Sequence, residues 1–308
     1  MHYSGPIIDG HHHFWEPRLG KQPWLLPTAE IPFRYGDYSS IKTDYLPPDL
    51  QSDAQGLNLI GSVTMETEWE IDDPIGEMLY TKEIGERFNW PLVSVAHAVL
   101  VDPQVEAILE KLAGLDWVRS IRNKPGQSAQ QSTYSPNDSL LSDPQWKQGF
   151  SLLETYGLNF DLQVAWWHFG QAIELANESP SQRIIVNHAG LPAERSNDAL
   201  QAWEQQVRAI AQCENVTMKV SGIGVPNQEW TLENNRFVLE TITDCFGPDR
   251  MIAASNFPVD RLAGTYAQIF GAFLEFTSSW SKDEQFAFFA GTAAECYGID
   301  VAQWVKSH

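Results

Sequence analysis

Eight times along this chain a short run of apolar and β-branched residues gives way to a helical pattern. Strands are expected over 6–9, 59–66, 91–98, 117–122, 158–165, 183–187, 216–221 and 250–255. Helices are expected over 49–57, 73–88, 102–114, 143–157, 169–178, 197–213 and 230–246, with a helical tail from 265 broken near 278–281. Asp73-Pro74, Asp102-Pro103 and Asp143-Pro144 each offer a capping carboxylate followed by a proline suited to the first helical turn. Strands that alternate with helices pair in parallel. Eight such units in a little over ~250 residues predict a closed (β/α)8 TIM barrel of the α/β class. No Ser/Gly/Pro linker divides the chain, so one domain over 1–308 is expected. An open doubly wound sheet is the runner-up, but no strand is followed by a Gly-rich phosphate turn.

The excess length lies after strands one and four, in loops over about 14–45 and 123–143. Both fall on the C-terminal face, where such barrels carry their chemistry. The formal net charge of −20 makes nucleic acid and anionic membranes poor partners for the bulk surface. No apolar run is long enough to cross a bilayer, and Met1-His2-Tyr3-Ser4 lacks a secretory pattern. Cys213, Cys245 and Cys296 fit no metal spacing, so a cytoplasmic protein with free thiols is expected.

Polar residues gather at the strand ends. Strand one runs into Asp9-Gly10-His11-His12-His13. Side chains of a strand alternate, so Asp9, His11 and His13 should share a face, with His12 opposite. Two neutral imidazoles two residues apart can hold one divalent ion. Strand two ends at Glu66, and strand four at Arg122 followed by Lys124. On strand five Asp161 and Gln163 should point into the barrel, with Trp166, Trp167 and His168 at its rim. Strand six ends in Asn187-His188, strand seven carries Lys219 and Ser221, and strand eight ends in Ser255-Asn256, with Asp260 four residues on. Arg119 should face away from Arg122, and His97, in an apolar strand, reads as a core histidine.

The stretches IIDGHHHFW, VTMETEWEIDDP, IRNKPG, FDLQVAWWH, IIVNHAGLP, MKVSG and ASNFPVD, in that order, resemble the amidohydrolase superfamily. The likeness is to its lactonase-like branch of sugar lactonases and 2-pyrone-4,6-dicarboxylate lactonase. It implies hydrolysis of a sugar lactone or related cyclic ester, with dimers common. It matches His11 and His13 to a metal-binding pair, and His188 to a histidine that contacts metal or the substrate carbonyl. Asn256 stands where most relatives have an Asp that serves as ligand and base. An amide neither accepts a proton near neutral pH nor ligates as well as a carboxylate. Two cofactor options therefore stay open: one divalent ion, zinc or manganese, or none.

Lactone hydrolysis needs an activated water and a polarised carbonyl. Asp260, Glu66 and His188 are the candidate bases, and Arg122 and Lys124 the candidate cations for an anionic or sugar-like small molecule. Gln163, Trp15, Trp167 and His168 complete the expected substrate wall, with Trp24 and Trp166 as further aromatic candidates. The rivals are a decarboxylase on the same scaffold and a barrel that only binds a small acid.

Overall fold

The computed structural model describes residues 3–90, 92–128 and 130–302. Eight strands form one parallel sheet in sequential order: β1 (Ile7–His12), β2 (Leu59–Met65), β3 (Leu92–His97), β4 (Val118–Asn123), β5 (Asn159–Leu162), β6 (Ile184–Val186), β7 (Val216–Val220) and β8 (Met251–Ala253). The ring is sealed just beyond the ladder, where Asn256 N donates to His11 O at 2.7 Å and His13 N to Phe257 O at 2.7 Å. This is the (β/α)8 barrel that the alternation predicts. The expected start of the third strand, Pro91, and the tail beyond 302 lie outside the described residues.

The helices are α1 (Pro47–Asp53), α2 (Pro74–Arg87), α3 (Val105–Ala113), α4 (Pro144–Thr155), α5 (Phe169–Glu178), α6 (Asn197–Ile210), α7 (Leu232–Phe246), α8 (Tyr266–Phe276), α9 (Lys282–Phe286) and α10 (Thr292–Tyr297). Asp73 caps α2 by accepting from Gly76 N, and Asp143 caps α4 by accepting from Gln145 N and Trp146 N. Each such cap stabilises its helix by about 1 kcal/mol. Asp102 departs from that pattern. Its carboxylate accepts from Gln104 N in a turn, and α3 opens later, with Gln104 at the N-cap.

The barrel interior is filled by Ile8, Val63, Met65, Val95, Ile185 and Ile252, with Tyr297 of α10 packed among them. Outward-facing strand residues join the main core beneath the helices. The register of β1 against β2 slips between Asp9 and His12. A side chain at position 10 would run into Ile252 Cγ2, which accounts for glycine there. The slip overturns the expected alternation. Asp9 bonds Ser255 Oγ at 2.6 Å and the Tyr266 hydroxyl of α8 at 3.1 Å, away from the histidine pair. Its burial raises the carboxyl to about 6. His12 faces away as expected, with Nε2 at 3.2 Å from Thr64 Oγ1 and its ring on Phe14.

Candidate active site

At the C-terminal ends of the strands three imidazoles converge. The ring centroids of His11 and His188 are 4.4 Å apart, and those of His11 and His13 are 5.3 Å apart. All three are buried, and burial, followed by neighbouring cationic and imidazole groups, holds each well below the usual histidine range. They are therefore neutral near pH 7. His13 Nδ1 lies 3.1 Å from the Glu66 carbonyl oxygen. A carbonyl only accepts, so Nδ1 carries the proton and Nε2 keeps its lone pair. His188 Nδ1 lies 2.9 Å from Ser221 Oγ. A side chain at Gly222 would strike the His188 ring, and Gly222 has a φ of +59°. His188 and Asn256 themselves have φ of 57°. Such left-handed backbone at non-glycine residues is costly and gathers at functional sites.

A cavity of about 290 Å³ opens beside His13 and His188, lined by these two and by Trp24, Phe33, Arg34, Arg122, Lys124, Gln163 and Asn256, among others; His11 lies behind them and is not among its lining residues. Asn256 Nδ2 donates to Asp260 Oδ1 at 2.7 Å. That bond fixes the amide, leaving Asn256 Oδ1 as the free acceptor. Asp260 Oδ1 also accepts from the Tyr35 hydroxyl at 3.0 Å, while Oδ2 is buried with no side-chain hydrogen bond among the described residues. Burial pushes the Asp260 carboxyl up to about 6, against the pull of Arg34. Asp260 stands behind Asn256 and is not among the lining residues of this cavity.

The candidate base Glu66 and the candidate cation Arg122 pair with each other. Arg122 Nε bonds Glu66 Oε1, Nη2 donates to the Glu66 carbonyl at 2.8 Å, and Nη1 reaches Gln163 Oε1 at 3.3 Å. Burial alone would raise the Glu66 carboxyl, but Arg122 and then Lys124 outweigh it and hold the group below its ordinary range. Its second oxygen accepts from Glu68 N at 2.7 Å. Glu66 is thus a partner for Arg122, with little basicity left. Lys124 pairs with Glu68 at the cavity edge.

Several expected wall residues lie elsewhere. Trp15 is fully buried, donates Nε1 to Thr43 O at 2.9 Å and stacks against His13, so it backs the imidazole and does not line the cavity. Trp167 donates to Ser128 O and lines a separate depression with Gln130 and Trp166. His168 is buried against Gln171 and Tyr134. Arg119 reaches Tyr297 O, far from Arg122's partners. His97 is half-buried and lines a neighbouring cavity beside Glu66; the core reading is corrected.

Arg34 is the residue that sequence reasoning missed. It comes from the long loop after β1 and donates to Gly222 O at 2.6 Å and Gly224 O at 3.3 Å. Its partners are carbonyls, so its full charge remains at the cavity wall.

The donor set fits a divalent ion poorly. Both nitrogens of His11 are buried and have no partner among the described residues, which favours an ion. Against it, Asp9 faces away, Glu66 is committed to Arg122, and Asp260 sits behind an amide. Among the described residues no three or more His, Cys, Asp or Glu side chains are grouped to hold a metal.

A family model described as amidohydrolase matches residues 8–299, and the chain belongs to that family. It is 33% identical over 296 residues to the uncharacterized protein y4mH of Sinorhizobium fredii, covering 95% of this chain and 98% of that one. It is 24% identical over 304 residues to L-fucono-1,5-lactonase of Burkholderia multivorans, covering 95% and 96%. Among solved structures, an amidohydrolase from Burkholderia multivorans with bound zinc superposes with a TM-score of 0.78 at 23% identity, covering 96% of this chain and 99% of that one. No helix among the described residues is long and apolar enough to cross a membrane.

Proposed function

We propose that this chain, a single barrel over 1–308, is a cytoplasmic hydrolase of a small lactone that carries sugar-type hydroxyls or a carboxylate. The observation that carries the reading is the meeting of neutral His13 and His188 with Asn256 at one cavity, with His11 packed against both imidazoles. The lactonase among the relatives supports the reaction class. In this reading the water is activated at His188. We assign His188 the tautomer that donates Nδ1–H to Ser221 Oγ, which makes Nε2 the proton acceptor. His13 Nε2 and Asn256 Oδ1 are acceptors for hydroxyl groups, and they orient the water and the ring substituents. Arg34 takes the substrate carboxylate or the negative charge that develops on the carbonyl oxygen. Arg122, braced by Glu66, holds Gln163 in place at the wall.

The test is a panel of sugar lactones and carboxylated lactones, followed by proton release, with and without added zinc or manganese. Turnover that persists without added metal and after chelation is expected. A folded protein that opens none of them in either condition overturns the reading, and carbon dioxide release from aromatic carboxylates would replace it with a decarboxylase. Arg34→Ala should raise KM for carboxylated lactones by about 10- to 100-fold, the worth of a hydrogen bond to a charged group, with kcat changing less. An unchanged KM would remove Arg34 from the substrate site.

A further inference from the structure

A depression of about 330 Å³ adjoins the cavity that holds His13 and His188, the mouth of the barrel. Leu191 lines both. The two openings also draw on the same strand ends. Gln163, just past β5, lines the mouth, and Trp166 and Trp167, further along the same segment, line the depression. On the β6 side His188 lines the mouth, and Leu191 closes the same turn, its N donating to His188 O at 2.7 Å. That turn is strained. His188, Ala189, Gly190 and Leu191 have φ of 57°, 53°, 68° and 58°, and only the glycine adopts such backbone freely. Strain of this kind persists where function fixes the geometry. Here it sets Leu191 as a low wall between the two openings.

The two sides of that wall differ in chemistry. The mouth carries Arg34, Arg122 and Lys124. No lysine or arginine is among the described residues that line the depression. Instead the rings of buried Trp166 and half-buried Trp167 meet at a corner, with centroids 5.5 Å apart and planes at 75°. Trp167 Nε1 is already engaged by Ser128 O at 3.2 Å, so its ring offers contact area. Gln130, Gln131, Ser132 and Glu194 add amide, hydroxyl and carboxylate groups from exposed positions. Aromatic surface beside groups that both donate and accept suits a sugar, whose C–H faces pack on indole while its hydroxyls bond outward. A carboxylate without a facing cation disfavours an anion.

We propose that the depression is a second subsite of the same enzyme, taking an uncharged glycosyl group attached to the lactone that opens at the mouth. The inference rests on the lactonase reading and narrows its substrate to the lactone of a glycosylated sugar acid. Trp167 is the residue that selects for the added sugar.

Binding of ring-opened products tests the subsite without requiring turnover. The full chain is titrated calorimetrically with gluconate and with cellobionate, maltobionate and lactobionate, each a gluconate bearing one further hexose. At least one of these should bind about 10-fold or more tightly than gluconate, the order of one aromatic packing contact. Trp167→Ala should erase that gain and leave gluconate unchanged. Ser132→Trp, at an exposed position, should block the depression with the same result. Arg34→Ala should weaken gluconate and its glycosylated forms by one common factor, since both place their carboxylate at the mouth. Equal affinity for gluconate and all three larger acids overturns the proposal, even if Trp167→Ala fails to fold. So does a gain that survives both depression variants. Opening of glucono-1,5-lactone with no gain from the added hexose keeps the reaction and loses the subsite. A gain removed by Trp167→Ala, in a chain that opens no lactone, keeps the subsite and loses the reaction.

Discussion

Two polar clusters share the inside of this barrel and are resolved in opposite ways. On β5, Asp161 accepts from Lys219 Nζ at 2.7 Å, from Asn187 Nδ2 at 2.9 Å and from the Tyr297 hydroxyl at 3.0 Å, and Lys219 also lies over the Tyr297 ring. Both ions are fully buried, and each finds partners within the chain. Beside the mouth, neither ring nitrogen of His11 nor Oδ2 of Asp260 has a partner among the described residues. Each unsatisfied buried group costs about 1–3 kcal/mol. The deeper cluster ties β5, β6, β7 and α10 together. The upper one leaves part of its hydrogen-bonding capacity unmet among the described residues.

Lys219→Met strips Asp161 of its counter-charge without opening a large hole. Removing one partner of a buried pair costs about 3–5 kcal/mol. Chemical unfolding should show that loss; a stability change under about 1 kcal/mol would break the comparison. His188→Asn should do the reverse. Asparagine tolerates the left-handed backbone there, so the unfolding midpoint should hold while kcat on the best lactone falls by about 10²–10⁴-fold, the usual share of a general base.

Asp260→Asn sharpens the contrast through pH. The folded chain holds the Asp260 proton up to about 6, whereas an unfolded aspartate releases it near ~3.9. In that window the folded state binds more protons, so this group lowers stability as pH rises from about 4 to about 6. The variant should lose this part of the slope and retain the part due to Asp9, whose carboxyl is also raised to about 6. Denaturant midpoints across the window measure it, and an unaltered slope counts against a strained Asp260. The smallest effect is expected from Trp15→Phe: about 1 kcal/mol of stability for the lost bond to Thr43, with KM unmoved. A raised KM would return Trp15 to the substrate wall.

The barrel was legible because its signals are local. A capping Asp before Pro, as at Asp73 and Asp143, and a short β-branched run need only neighbouring residues to be read. His13, His188, Asn256 and Gln163 were legible by position, since a residue just past a parallel strand has few places to go. Asp9 was misjudged because strict alternation fails at one register slip, and nothing near Gly10 announces it apart from the glycine itself. The pairing of Glu66 with Arg122 spans 56 positions and depends on how β2, β3 and β4 line up, which the one-dimensional pattern does not encode. Trp15, Trp167 and His168 stand next to strand ends, but loop backbone, not strand geometry, decides where they turn. Arg34 lies in a segment without periodicity, so no local rule could aim it at the mouth.

That segment has a wider meaning. Trp24, Phe33 and Arg34, which flank the opening, and Tyr35, which steadies Asp260, all come from one contiguous stretch whose two ends are bridged at Trp15 and Tyr45. One side of the cavity thus comes from a long loop, while the imidazoles are set at and just past the ends of β1 and β6. Exchanging that stretch between homologues would alter the cavity wall while leaving the eight strands and the three imidazoles in place.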